Sequence, residues 1–318
     1  MRVAILDDIH DAYEQTGGVA RLRDRIGVTN LQIFTGPFGE ADALAGFDAL
    51  IANRERTRFS RDLLGQLPDL KIIAQTGNHA YHIDLAAAEQ KGIVVAKASG
   101  GFCTGAGELT IGLAIALMRQ IPTADAAVKS GQWPTPIGHE LHGKTMGIVG
   151  LGHVGRHVAA IAKAIGMRVI SWSRRPDPNA AALLGIEALE LDELLGSADV
   201  VSVHATHAPE TRDLLDARRL RLMRQTAYLI NTARGPIVNE TALIQALLEG
   251  WIAGAALDVF EREPLPAGHP LTRRSNVILT PHLGWPTDKM YEQFSQAAAD
   301  VLFAHLDRRE VPRFVHEH

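Results

Sequence analysis

The apolar run Met146-Gly147-Ile148-Val149 passes without a break into Gly150-Leu151-Gly152-His153-Val154-Gly155, and a helical pattern leaves it on the other side. That pattern places Val154, Val158, Ile161 and Ile165 on one face, at spacings of four, three and four, until Gly166 stops it. A strand, a glycine turn and a helix in this order aim backbone N–H groups and a helix N-terminus at one point, as a dinucleotide pyrophosphate requires. Gly150 suits the tight turn, Gly152 lets phosphates approach, and Gly155 lets helix and strand pack closely. The string alone is a weak signal in a chain with 29 glycines; the flanking strand and helix give it weight. It commits this part of the chain to a parallel, doubly wound sheet of Rossmann type.

The string begins at residue 150 of 318, so nearly half the chain must form something else, and two domains of ordinary size fit. Hydrophobic residues at 46% and charged residues at 21% suit a globular core. A net charge of -4 gives no reason to expect nucleic acid or an anionic membrane as partner. The amino terminus, Met1 to Asp8, carries too short an apolar stretch for a signal peptide. The longest apolar run, Leu109 to Met118, falls well short of the roughly 18 residues that a membrane span needs. A cytoplasmic protein is therefore expected. Cys103 is the single cysteine, which excludes an intrachain disulfide, and it reads as a small buried thiol.

Short apolar strands alternate with amphipathic helices throughout, which is α/β organisation. Strands are expected at Arg2 to Leu6, Leu31 to Phe34, Ala49 to Ala52, Ile72 to Gln75 and Ile93 to Ala96, with a helix from Asp84 to Lys91 closed by Gly92. The glycine-rich stretch from Ala98 to Gly107 reads as a crossing between domains. Beyond it, strands are expected at Met146 to Val149, Arg168 to Trp172, Val200 to His204, Ala227 to Asn231, Ala253 to Val259 and Val277 to Thr280, six in all. A last helix from Thr287 to about Leu306 lies beyond this sheet.

Three ionisable residues, Arg234, Glu263 and His282, each fall just past the carboxyl end of one of these strands, the edge at which open α/β sheets bind ligands. Their chemistry suits hydride transfer to a ketone. Negative charge develops on the oxygen as hydride reaches carbon, and a positioned acid must supply a proton. A histidine suits that work, an adjacent carboxylate orients the ring and favours its protonated form, and a guanidinium fork pairs with a substrate carboxylate. Singly, each residue is as easily a turn cap, a solvated acid or an inert histidine among 14. Jointly, at one sheet edge, they point to an enzyme.

In four segments the sequence resembles the D-isomer-specific 2-hydroxyacid dehydrogenases, of which the glyoxylate and hydroxypyruvate reductases are examples. The segments are Gly147 to Gly155, Leu229-Ile230-Asn231-Thr232-Ala233-Arg234-Gly235-Pro236-Ile237-Val238, Ala255 to Phe260, and Leu279-Thr280-Pro281-His282-Leu283-Gly284. The resemblance implies a Rossmann coenzyme domain, 101-289, inserted in a smaller flavodoxin-like substrate domain built from 1-100 and 290-318. It implies that Arg234 binds substrate and that Glu263 pairs with His282 as the acid/base. It also implies cofactor contacts at Gly150, Gly152, His153, Val154, Gly155, Ser173, Ala205, Thr206, Thr211, Thr232, Ala233, Asp258, His282 and Gly284. Members are commonly homodimers joined through the coenzyme domain, and the helix from about Glu108 to Arg119 is a candidate for that interface as much as for the core.

Two departures concern specificity. After strand Ile72 to Gln75 the family's commoner Gly-x-Gly-x-Asp turn is replaced by Gly77-Asn78-His79-Ala80-Tyr81-His82-Ile83-Asp84. Gly77, Asn78, His79 and, from the other segment, Trp285 are expected to line the substrate pocket or to pack within their own domains. The second strand of the coenzyme unit ends in Ser173-Arg174-Arg175, with serine where an acid would bind the ribose 2'-OH and repel a 2'-phosphate. NADP(H) is therefore the expected cofactor, with NAD(H) also accepted; the bland alternative is a pair of solvated arginines with Asp177 as partner. The pairs His153/His157 and His139/His142 have metal-like spacing but no carboxylate to complete a set, and no metal site is expected. Two functions remain, a reductase of small 2-keto acids and an NAD(H)-sensing binding protein of the same fold; retention of Arg234, Glu263 and His282 favours the enzyme.

Overall fold

The computed structural model describes residues 1–101, 104–133 and 136–315; Cys103 lies outside them. The chain divides into two compact units, Met1–Gly101 with Pro286–His318, and Phe102–Trp285. The second boundary falls four residues before the expected 289/290 junction. Thr287 explains the shift: its side chain caps the last helix by accepting from Met290 N at 3.2 Å, so the turn before the helix goes with it.

In the first unit, strands β1 (Val3–Ile5), β2 (Leu31–Ile33), β3 (Ala49–Ala52), β4 (Ile72–Thr76) and β5 (Val94–Ala98) form a parallel sheet in the order β2-β1-β3-β4-β5, the flavodoxin-like arrangement. Helices α1 (Gly17–Ile26), α2 (Arg61–Gly65) and α3 (Leu85–Gln90) connect its strands. Asp84 is the cap of α3 and not its first residue, accepting from Ala87 N at 2.8 Å, and Gly92 ends the segment with φ 71°. The inner strands β1, β3 and β4 are buried along their whole length, which is why they read as nearly continuous hydrophobic runs, whereas the edge strands β2 and β5 expose Gln32 and Lys97.

The second unit opens with α4 (Thr104–Met118) and α5 (Ile121–Lys129). Its parallel sheet holds β6 (Thr145–Val149), β7 (Arg168–Trp172), β8 (Glu187–Ala188), β9 (Val200–Val203), β10 (Tyr228–Asn231), β11 (Gly254–Leu257) and β12 (Val277–Leu279), interleaved with α6 (His153–Ile165), α7 (Pro178–Leu184), α8 (Leu191–Ser197), α9 (Ala217–Leu220) and α10 (Glu240–Glu249). The strand order is β12-β11-β10-β9-β6-β7-β8, the Rossmann order with one strand added at the β12 edge. Seven strands stand where six were expected. The unforeseen one, β8, is two exposed residues at the sheet edge, too short and too polar to leave a hydrophobic pattern.

Two further differences have physical causes. The glycine-rich crossing is helical from Thr104 onward, because Gly107 serves packing: a Cβ there would lie 2.6 Å from His157 Cδ2 on α6. The rest of α4 is apolar on every face; Ile111, Leu113, Ala114, Leu117 and Met118 are buried in the core with Val158 and Ala162 of α6. Among the described residues no single helix is long and apolar enough to cross a membrane. The last helix, α11 (Asp288–Leu306), belongs to the first unit and buries Met290, Tyr291, Phe294, Ala298 and Leu302.

Candidate active site

The sheet order reverses between β6 and β9, which pair directly, and the carboxyl ends at such a reversal are where open α/β sheets bind ligands. Gly150 leaves β6 with φ 108°, a region that costs a side chain, and a Cβ there would stand 2.5 Å from Ala205 N. A Cβ on Gly155 would run into the carbonyl oxygen of Gly150. At Gly152, by contrast, a Cβ would meet nothing within 4 Å. Gly152 is the N-cap of α6 and offers no side-chain cap to the first N–H groups, among them those of His153 and Val154. Two glycines are thus demanded by packing and one by open space before an uncapped helix end, which fits a dinucleotide pyrophosphate.

Other expected cofactor residues frame this turn. Ser173 accepts from Leu151 N at 2.9 Å and so ties the end of β7 to the glycine turn. Thr211 is buried, accepts from Ala208 N at 2.8 Å and donates to Thr206 O at 2.8 Å, which closes the loop carrying Ala205 and Thr206. Thr232 pairs with Thr110 of α4, Oγ1 to Oγ1, at 2.8 Å; Thr110 spends its own proton on Ala106 O, so Thr232 is the donor. Arg174 is bonded at 3.0 Å to Glu210, not to Asp177. Asp177 pairs with Arg156 at 3.2 Å. Arg175 is exposed and has no ion-pair partner among the described residues.

Arg234, Glu263 and His282 follow β10, β11 and β12, three neighbouring strands that finish level, with Asn231 opposite Leu257 and Leu257 opposite Leu279. Asn231, buried, shapes the first of these turns: its amide donates to Arg234 O at 2.9 Å and accepts from Ala233 N at 3.0 Å. Gly235 then lets the backbone of Phe260 and Glu261 press against the turn, with Glu261 N only 2.5 Å from where a Cβ would stand. Glu263 Oε1 accepts from Phe260 N at 3.0 Å, and its Oε2 meets His282 Nδ1 at 2.7 Å. Burial works to raise the Glu263 carboxyl, but the hydrogen bonds from His282 and Phe260 N–H and the charges of His282 and Arg234 together hold it below the ordinary glutamate range. With Nδ1 committed to the carboxylate, Nε2 is the nitrogen left for proton exchange. Arg234 donates to Ala233 O at 2.7 Å, the one hydrogen bond its guanidinium makes among the described residues.

The expected substrate residues Gly77, Asn78 and His79 belong to the first unit and Trp285 to the second. In the first unit, Gly77 turns with φ 94° at the carboxyl end of β4. His79 stacks on Tyr81 with ring centroids 5.1 Å apart and contacts Glu55 at 3.2 Å, while Arg54 reaches the same carboxylate at 3.3 Å. Arg54 and Glu55 were missed by the sequence reading, although they follow β3 as Gly77 follows β4 and the same strand-end rule would have found them. Thr110, Asn231 and Glu210 were missed too, and they carry no local signal. Among the described residues no group of three or more His, Cys, Asp or Glu side chains is placed to hold a metal ion.

Residues 111–284 match the family model described as D-isomer specific 2-hydroxyacid dehydrogenase, NAD binding domain. A glyoxylate reductase of Thermofilum pendens is 40% identical over 268 residues, which are 82% of this chain and 79% of that protein. A D-3-phosphoglycerate dehydrogenase of Methanocaldococcus jannaschii is 35% identical over 308 residues, 96% of this chain but 56% of that protein. Among solved structures, a phosphoglycerate oxidoreductase from Vibrio cholerae superposes with a TM-score of 0.84 at 32% identity, covering 96% of this chain and 99% of that one. A family match across more than half the chain, over a fold whose strand order and glycine turn fit a dinucleotide, makes this protein a member of the D-isomer-specific 2-hydroxyacid dehydrogenase family.

Proposed function

We infer that the protein interconverts small 2-keto acids and D-2-hydroxy acids, with Arg234, Glu263 and His282 as its working residues and NADP(H) as the preferred cofactor. The observation that carries this is the 2.7 Å His282–Glu263 pair set beside Arg234 at the level ends of three adjacent strands. When bound, the nicotinamide supplies or accepts the hydride. His282 gives its Nε2 proton to the ketone oxygen, and Glu263 holds the ring by Nδ1. Arg234 pairs with the substrate carboxylate through its planar fork. Gly77, Asn78, His79 and Trp285 are further residues proposed for substrate binding, and the glycine turn after β6 for the coenzyme. Glyoxylate and hydroxypyruvate are the first substrates to test, in keeping with the glyoxylate reductase relative. His282→Ala should lower turnover at least about a hundredfold while cofactor binding persists; near-normal turnover would remove His282 from the mechanism.

Preference for NADP(H) is supported by the absence of a carboxylate at Ser173, by the Arg156 pairing that neutralises Asp177, and by the Arg175 cation, which has no ion-pair partner among the described residues. A homodimer joined through the second unit is supported by exposed apolar side chains along α4, α5 and the segment after them: Ile115, Ile121, Val128, Trp133 and Ile137, the last two 83% and 89% exposed. Sedimentation of wild type and of Trp133→Lys tests that assembly; a monomeric wild type refutes it.

A further inference from the structure

The loops that follow β7 and β9 are tied to each other across the end of β6. That strand lies between the other two, with Val149 opposite both Trp172 and Val203. Arg174, two residues past β7, donates from one guanidinium nitrogen to Glu210 Oε2 at 3.0 Å. Glu210 sits on the short helical turn Pro209–Thr211, in the loop after β9. The ion pair therefore joins the two loops that flank the glycine turn, at the edge where Gly150 leaves β6. Asp177, the other acid near Arg174 in the chain, is engaged by Arg156 at 3.2 Å.

The backbone is anchored on both sides of this pair, and the side chains are not. Ser173 ties the segment of Arg174 to Leu151 N at 2.9 Å, while buried Thr211 closes the other loop on Ala208 and Thr206. The Arg174 side chain is 39% exposed and that of Glu210 63%, and an ion pair so open to solvent is weak. A phosphate carries roughly 1.5–2 negative charges and three strong acceptor oxygens, so it competes well with one carboxylate for the same guanidinium. We propose that Glu210 is a cofactor-selectivity residue: it holds Arg174 in the absence of a 2'-phosphate, must release it to the 2'-phosphate of NADP(H), and so narrows the preference for NADP(H) over NAD(H). With NAD(H), whose ribose presents a hydroxyl instead, the pair persists. This rests on the reading that the turn from Ser173 to Arg175 receives the adenosine ribose, and the test keeps the two apart.

Dissociation constants for NADPH and NADH, read from nicotinamide fluorescence at low ionic strength, are compared in wild type, Glu210→Gln, Arg174→Ala and the double variant. Glu210→Gln is expected to tighten NADPH about three- to fivefold, the upper range for an exposed ion pair, and to leave NADH within about 1.5-fold. In the Arg174→Ala background the same substitution should move NADPH by less than about 1.5-fold, because no guanidinium remains to be released. Calorimetry with adenosine 2',5'-bisphosphate and with 5'-AMP should repeat the pattern without the nicotinamide half. Unchanged NADPH affinity in Glu210→Gln overturns the inference. An equal gain for NADH, or an equal gain in the Arg174→Ala background, overturns it as well, since either would make Glu210 a source of general negative potential. If wild type binds NADH more tightly but Glu210→Gln still moves the ratio toward NADPH, the stated preference fails and this inference stands. Equal affinity for the bisphosphate and 5'-AMP in every variant would overturn the ribose reading, and this inference with it.

Discussion

Gly235→Ala tests how the three strand ends are held together. The glycine follows Arg234, and the backbone of Phe260 and Glu261 lies against its α-carbon. An alanine Cβ would be 2.5 Å from Glu261 N, against 3.4 Å for ordinary contact, so that atom alone must retreat by about 0.9 Å, and the Phe260 carbonyl is nearer still. Neither neighbour is a flexible side-chain tip; both are backbone of the segment that leads to Glu263. Overpacking of this kind costs about 1–3 kcal/mol of stability. The larger effect is on rate, since the carboxylate that orients His282 moves away from the guanidinium turn, and a 1 Å misplacement is worth about a hundredfold. Steady-state kcat/KM with glyoxylate should fall by that order while Tm falls by several degrees. Gly196→Ala is the control, because its Cβ would meet nothing closer than Leu222 O at 3.7 Å within α8, and both quantities should be preserved. A Gly235→Ala enzyme with wild-type kcat/KM and Tm would refute the packing argument.

Arg234→Lys keeps the charge and loses the fork; kcat/KM should fall more than tenfold, and equal activity would reduce Arg234 to general positive potential. Arg175→Ala should weaken NADPH use and spare NADH, with a smaller effect for Arg174→Ala because Glu210 already engages that guanidinium; a wild-type kcat/KM that favours NADH would sink the preference. His204, at the end of β9, is pushed down to about 4 from 6.5 by burial, its Nε2 2.6 Å from Ser202 Oγ. Between those values the unfolded chain binds a proton that the folded chain refuses, so stability falls as pH drops from 6.5 toward 4. The ceiling is about 3 kcal/mol, with about 2 kcal/mol lost between pH 7.5 and 5. Urea midpoints at those two pH values should therefore converge in His204→Gln by comparison with wild type, and identical pH dependence would rule His204 out as the cause.

Most of the fold was legible because parallel strands covered on both faces write themselves as apolar runs, and helices declare their ends. Asp84 and Thr287 cap α3 and α11 with side-chain bonds to N–H groups three residues on. The glycine turn was legible in part for the same reason: the positive φ of Gly150 and the approach of Gly155 to the Gly150 carbonyl are set within six residues of chain, while the pressure of Ala205 on Gly150 comes from a distant strand end. Even the strand-end positions of Arg234, Glu263 and His282 were legible locally, since each sits past a readable strand.

What the sequence by itself determined is therefore each element, its cap and the residue types at its carboxyl end. Which of those ends become neighbours was decided by the tertiary structure alone. Strand register sets Asn231 beside Leu257 and Leu257 beside Leu279, and only that register brings a carboxylate 19 residues away to within 2.7 Å of the His282 ring. The grip of Asp258 on Thr280, Leu283 and Gly284, the pairing of Thr110 with Thr232 across 122 residues, and the capture of Arg174 by Glu210 have the same origin. The physical reason is range. Propensity, periodicity and capping act over a few residues and are written in the order of the chain, whereas a hydrogen-bond partner is chosen by packing among elements that the chain order leaves far apart.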